Sequence, residues 1–342
     1  MRLSQYILLI FTSLLILAGC QKSDGQLTDA EKLEKFFSKD DVIILVTDSG
    51  LGGLSVAADV TKRMEGSGVF RTVDVTYFNA QPHAKSGYNS MKTTEQKVAV
   101  FENALNAIEK NFKPDLILIA CNTLSVIYEY TEFSKKTNIP VVGIVGTGVD
   151  LIHSKIAKDE NARVFLFATK TTVKQDKHRI KLAEMGIAKD RIITQACPKL
   201  AGRIERGSHS DTTIALVNKY VKELTADLPE SDQPAYVSYN CTHYGYVDDI
   251  FQDAFKKAGV EVKEFLDPNP LMADFIFDKK YLDRFDKTKV SVRVVSQPEL
   301  PPGRIASIYD LIEPVSAETA EALFEHEYTP ELFAWKSIAE AQ

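Results

Sequence analysis

Two cysteines stand in matching settings far apart in the chain. Cys121 ends the apolar run LILIA and leads at once into Asn122 and Thr123, while Cys241 leads into Thr242 and His243. In each case a stretch that reads as a buried strand delivers a thiol and then side chains built for hydrogen bonding. A free thiol has a pKa of about 8.5, so only about 3% is thiolate at pH 7 and its neighbours decide whether it is charged. Such a group can hold, give or take a proton in a cleft. A lone buried cysteine is more often a small core side chain; two of them, each with its own polar escort, argue for chemistry. Cys197 has no such escort and reads as structural, and His178 falls on an amphipathic stretch that reads as solvated. Cys121, Cys241 and His243 are zinc-ligand types, but no separate Cys or His cluster closes a shell, so no metal is expected. A substrate seated between the two thiols would hold their Cα atoms beyond the ~7 Å that a disulfide tolerates.

The elements that must position these residues follow an alternating pattern. VIILV at 42–46, VTYFN at 75–79, DLILIA at 115–120 and PVVGIV at 140–145 read as strands. LSVAADVTKRM and EQKVAVFENALNAIEKN between them have the three-and-four apolar spacing of helices. A second series runs from RVFLFA at 163–168 through RIITQA, AYVSYN and EVKEFL, again with helical stretches between. This is an α/β pattern with mainly parallel sheets. The two series also mirror each other: Asp48 to Cys121 spans 121 − 48 = 73 positions, and Thr169 to Cys241 spans 241 − 169 = 72. Two related, doubly wound halves would each present one cysteine at the C-terminal ends of its strands, where open α/β sheets bind ligands. That arrangement predicts facing thiols in a cleft between pseudo-symmetric domains.

The flanking segments differ. Arg2 and the apolar run ending at Gly19 form a stretch too short to span a bilayer. LAGC at 17–20 resembles the lipobox of bacterial lipoproteins, with Cys20 as the lipidated residue. Export, a lipid anchor on a membrane surface and a location in the cell envelope, facing the periplasm or the outside, are the expectations. The divisions expected are a signal at 1–20, a tether and short helix at 21–40 and halves at 41–145 and 146–265. A closing segment with an extra tail would occupy 266–342. Thr28 and Glu31 match a capping box opening that short helix. The net charge is −6, with no basic stripe, so nucleic acid is not an expected partner. The three cysteines left after Cys20 are an odd number, which argues against a disulfide framework.

Three motifs in order carry a resemblance. Asp48-Ser49-Gly50 with Gly52-Gly53-Leu54, Cys121-Asn122-Thr123, and Cys241-Thr242-His243-Tyr244 resemble the glutamate racemases of the aspartate-glutamate racemase family, with CPKLAGRIERG a weaker fourth match. The likeness covers about residues 42–280. It implies a cofactor-independent amino-acid racemase with a thiol on each side of the substrate's Cα, one charged and one neutral at any moment, titrating as a coupled pair. By resemblance Asp48 assists Cys121, Glu205 and His243 assist Cys241, and Ser49, Asn122, Thr123, Thr169, Thr172 and Thr242 bind substrate. Small-molecule amino acids are the implied partners, and a homodimer is compatible with the chain.

The chain departs from the family at the side-chain pocket. Asn79 stands where the family has aspartate, HAKSGY replaces a Pro-Tyr-Gly turn, both glycines of a Gly-Thr-x-Gly-Thr-Val pattern are absent around Thr169, and Gly245 replaces a proline. Glutamate is therefore less firmly implied than racemisation; aspartate or a related amino acid also fits, with His83 and Lys85 available to an acidic group. A non-catalytic lipoprotein that binds an amino acid or wall fragment in an inherited cleft is the competing class. Retention of Cys121, Cys241, Asp48, Glu205 and His243 favours catalysis.

Overall fold

A computed structural model describes residues 27–226, 228 and 234–339. The leader, Cys20 and most of the tether lie outside the described residues. The capping box is present: the Thr28 side chain accepts from the Glu31 backbone N–H and opens the helix Asp29–Phe37.

Among the described residues, ten strands form two sheets in which every strand pairing is parallel. The first holds β1 (Asp41–Asp48), β2 (Thr72–Asn79), β3 (Leu116–Ile119), β4 (Val141–Gly143), β9 (Lys289–Ser296) and β10 (Glu327–Tyr328), in the order β10-β9-β2-β1-β3-β4. The second holds β5 (Arg163–Ala168), β6 (Ile192–Ala196), β7 (Ala235–Asn240) and β8 (Val262–Leu266), in the order β6-β5-β7-β8. Within each half the spatial order is second, first, third, fourth. The mirrored halves expected from the spacing are thus present as one topology used twice. β1, β3, β5 and β7 are almost wholly buried, as strands covered by helices on both faces must be, which is why they read as continuous apolar runs.

PVVGIV is not all strand. β4 stops at Gly143 and Ile144 already begins the helix Ile144–Ile156, whose apolar residues continue the run without a break in hydrophobicity. The expected last strand, VSVRVVS, is β9, and it returns to the first sheet beside β2 over eight registered positions. That return explains one departure from the family. Asn79, at the end of β2, donates from Nδ2 to Ser296 Oγ at 3.0 Å and accepts from the Gln81 N–H. The Ser296 hydroxyl spends its own proton on Pro298 O, so its partner must be a donor. An aspartate there would face an acceptor with an acceptor. Gly245 has a similar cause, because a Cβ at that position would overlap the Asp267 carboxylate.

His178 is not solvated. It is 2% exposed, because it and Leu182 lie one turn apart on the face of the helix Lys177–Glu184 that packs inward. Burial lowers its pKa from 6.5 to about 4, with the Lys181 charge acting in the same direction. Between those values the unfolded chain binds a proton that the folded chain refuses, so stability falls as pH falls through this window, by up to about 3 kcal/mol. His178→Leu should remove this component. In urea titrations the stability of wild type relative to the variant should fall on going from pH 7 to pH 4.5; a difference independent of pH would contradict the assignment.

Candidate active site

The C-terminal ends of the central strands of both halves converge on one cavity of ≈ 490 Å³. Ser49 and Gly50 follow β1, Cys121 follows β3 by one residue and caps the helical turn Asn122–Ser125, Thr169 follows β5, Cys197 follows β6 and Cys241 follows β7. Parallel strands bring these residues together because all their C-terminal ends point the same way within a half. Cys121 and Cys241 both line the cavity as free thiols, 5% and 7% exposed.

Each sulfur has its own partners. Cys121 Sγ lies 3.0 Å from Ser49 Oγ. Burial, reinforced by the nearby Asp48 carboxylate, raises its pKa far above the ordinary thiol range, and the Ser49 contacts offset this only in part. It is held as the neutral thiol. Cys241 Sγ lies 3.6 Å from His243 Nδ1, and His243 Nε2 is 2.7 Å from Glu205 Oε1. Burial opposes charge on His243, but its contacts with Cys241 and Glu205 outweigh it and raise the pKa well above the usual imidazole value. His243 thus sets a cationic N–H donor beside the Cys241 sulfur, where Cys121 has a carboxylate nearby. The two sulfurs therefore sit in opposite electrostatic settings.

Hydrogen bonds between the halves fix that geometry. Thr242 Oγ1 donates to Asp48 Oδ2 at 2.7 Å, the Leu51 N–H donates to Glu205 Oε1 at 2.7 Å, and the Thr123 and Thr169 hydroxyls meet at 2.8 Å. Gly52 lies where these contacts are tightest: a Cβ there would overlap Thr242 Oγ1 and His243 Nδ1. This glycine makes room for the other half of the chain and not for substrate. Burial raises the Asp48 pKa, while the His243 charge and the Thr242 hydroxyl pull it back.

Most residues expected in the site line the cavity: Asp48, Ser49, Cys121, Asn122, Thr123, Thr169, Glu205, Cys241, Thr242 and His243. Two substrate-binding expectations change. Thr172 is buried behind Thr169, its hydroxyl 3.1 Å from that of Thr169, and it is absent from the cavity wall. Thr242 lines the wall, but its hydroxyl proton is committed to Asp48. Asn122 is the opposite case: it is 2% exposed, and neither its Nδ2 nor its Oδ1 has a partner among the described residues. A buried primary amide with both ends free has hydrogen-bonding capacity left for a polar ligand. Cys197 also lines the cavity, where burial keeps its thiol well above the ordinary range and therefore unreactive.

Arg304 was not foreseen. It comes from the helix Pro302–Ile312 in the C-terminal segment and reaches the cavity wall, with Nη2 2.5 Å from Glu205 Oε2 and donating to Gln81 Oε1 at 2.7 Å. Burial works against the Glu205 charge, yet Arg304 and His243 overcome it and bring the Glu205 pKa down to about 2. Tyr88, from the rewritten loop, is a further wall residue, with a buried hydroxyl that lacks a partner among the described residues.

The model of the Asp/Glu/Hydantoin racemase family matches residues 52–232. The chain belongs to this family. As a member it is an amino-acid racemase, an isomerase by reaction class. The glutamate racemase of Ruegeria pomeroyi is 30% identical over 251 residues, covering 70% of this chain and 84% of that protein. The glutamate racemase of Aquifex pyrophilus is 28% identical over 200 residues, covering 58% and 70%. Among solved structures, a glutamate racemase from Bacillus anthracis superposes with a TM-score of 0.61 at 18% identity, covering 85% of this chain and 97% of that one. That of Francisella tularensis, solved with D-glutamate, gives 0.56 at 20% identity, covering 87% and 99%. These likenesses support the two-domain α/β fold. The family match ends before Cys241, His243 and Arg304, so their placement rests on the geometry above.

Glu205→Gln removes the anion facing His243 Nε2 while leaving Arg304 in place. The His243 pKa should fall relative to wild type, read from the imidazole ¹⁵N shifts; an unchanged titration would show that Glu205 does not set the charge of His243.

Proposed function

We propose that this chain interconverts the enantiomers of an acidic α-amino acid by proton transfer between two thiols, glutamate being the first candidate on the names of its relatives. The observation that carries this reading is the pair of free thiols lining one cavity, Cys121 beside Ser49 and Asp48, and Cys241 3.6 Å from the His243 imidazole.

The steps assign the base to the sulfur beside His243 and the acid to the sulfur beside Asp48. The Cys241 thiolate takes the proton from Cα, forming its S–H bond as the C–H bond breaks. The electron pair left on Cα spreads into the α-carboxylate. The unpartnered amide of Asn122, beside Cys121, is suited to bind that carboxylate as its charge grows. Cys121 then gives its proton to the opposite face. Product leaves with Cys121 as thiolate and Cys241 as thiol, the mirror of the starting state, and turnover in the other direction restores it. Asp48 beside Cys121 and His243 beside Cys241 make the two sulfurs unequal, and burial excludes bulk water from competing for the protons.

The same burial accounts for the survival of free thiols in an oxidising compartment, should the leader direct the chain there. A buried sulfur is accessible only through the cavity, and the neutral form of Cys121 is the slow one to oxidise.

Cys121→Ala and Cys241→Ala should each reduce racemisation by about 10³-fold or more, the scale of losing a general acid or base. Chiral chromatography of D- and L-glutamate, and of D- and L-aspartate, incubated with reduced enzyme gives the rates. Turnover near the wild-type rate in both directions by either single variant would overturn the two-thiol scheme.

A further inference from the structure

Arg304 is 9% exposed, lines the cavity and belongs to a helix far outside the strands that carry the thiols. A guanidinium presents five N–H groups in a planar fork, and burying it demands partners for them. The partners the structure supplies gather at Nη2, from Gln81 Oε1 and Glu205 Oε2. The Nε N–H is buried and has no hydrogen-bond partner among the described residues. A donor left in this state is destabilising unless a ligand meets it. Glu205 does not use up the local positive charge either, because the same carboxylate also receives His243 and the Leu51 N–H.

The rest of the wall has the same sign. Lys85, Lys170, Lys199, Arg203 and Arg206 line the cavity as exposed side chains, and none forms an ion pair with a carboxylate among the described residues. Against these and Arg304 the wall sets only Asp48 and Glu205. In a chain of net charge −6, this is a local positive field that would draw an anion toward the thiols. Gln81, which grips Arg304, also donates to His83 O, so the arginine and the loop after β2 form one wall unit. Asn122, adjacent to Cys121, is the separate receptor already assigned to the α-carboxylate.

We propose that Arg304 binds the carboxylate at the far end of the substrate's side chain, making the C-terminal helix the specificity element that selects dicarboxylic amino acids. This rests on the racemase reading of the cavity. Arg304 contacts the substrate's side chain and takes no proton from Cα; its contact with Glu205 is the second, bracing use of the same group.

Isosteric substrate pairs separate recognition from bracing. Racemisation kcat/KM is measured for glutamate and glutamine, and for aspartate and asparagine, with wild type, Arg304→Gln and Arg304→Lys. Wild type should prefer the acid of the better pair by about 10²-fold, in line with a charge-assisted contact made only by the acid. Arg304→Gln also removes the brace on Glu205 and should slow both substrates, but the loss on the acid should exceed that on the amide by about 10²-fold, the excess lying in KM, so the preference collapses. Arg304→Lys, which keeps a cation opposite Glu205 but lacks the fork, should fall between. It carries the test if thermal melts show that Arg304→Gln does not fold. Equal losses on acid and amide, or an acid preference that survives substitution, would overturn the assignment and leave the racemase intact. Absence of racemisation of all four amino acids by wild type would overturn the underlying function as well.

Discussion

Glu205 is a buried carboxylate that three separated parts of the chain must satisfy together. The Leu51 N–H comes from the turn after β1, His243 from the turn after β7, and Arg304 from the C-terminal helix. An anion stripped of water is tolerated only when its partners are well placed, and removing one partner from such a group is far more damaging than the net worth of the pair suggests. This requirement ties the two halves and the tail to one another at the place where the thiols face the cavity. It also fixes the orientation of His243, and through Nδ1 the electrical setting of Cys241. The fold supplies two copies of a strand end carrying a thiol; the Glu205 network makes the two copies different. The proposed division of roles between the two sulfurs rests on that difference.

The C-terminal segment has a clear structural part in this. β9 extends the first sheet next to β2, Ser296 at its end holds Asn79, and Gln297 donates to Pro82 O while accepting from the Phe333 N–H. The loop that departs from the family pattern is therefore built against the added segment. Asn79 suits its place because Ser296 Oγ, its own proton given to Pro298 O, accepts from the Asn79 amide, and Gly245 is small because Asp267 fills the space beside it. These departures are consequences of packing, and they do not touch the thiols.

Much of this was legible in the sequence. Buried parallel strands are continuous apolar runs, so β1, β3, β5 and β7 were visible, and the equal spacing of their ends revealed the repeated half. Residues at or just past the C-terminal ends of those strands, Asp48, Cys121 and Cys241 among them, could be placed because their position in the chain is their position in space. The helix starting at Ile144 was hidden inside an apolar run that periodicity cannot divide. His178 was misread because a histidine on an amphipathic helix looks the same whichever face it occupies. Arg304 left no signal at all: one arginine in PPGRIASI reads as a solvated side chain, and only the long-range return of β9 and the helix after it brings that side chain to Glu205.

The proposed two-thiol scheme, with a sulfur on each side of one carbon, has a direct isotopic consequence. A single enantiomer is racemised in D₂O and stopped well before equilibrium, the enantiomers are separated, and deuterium at Cα is read by mass spectrometry. The thiol that protonates the product has exchanged with solvent, whereas the substrate that returns unreacted has met only the other sulfur. The account predicts a deuterated product and a substrate pool that stays protiated, starting from either enantiomer. Deuterium entering the recovered substrate as fast as the product would mean that one group serves both faces, and would contradict it.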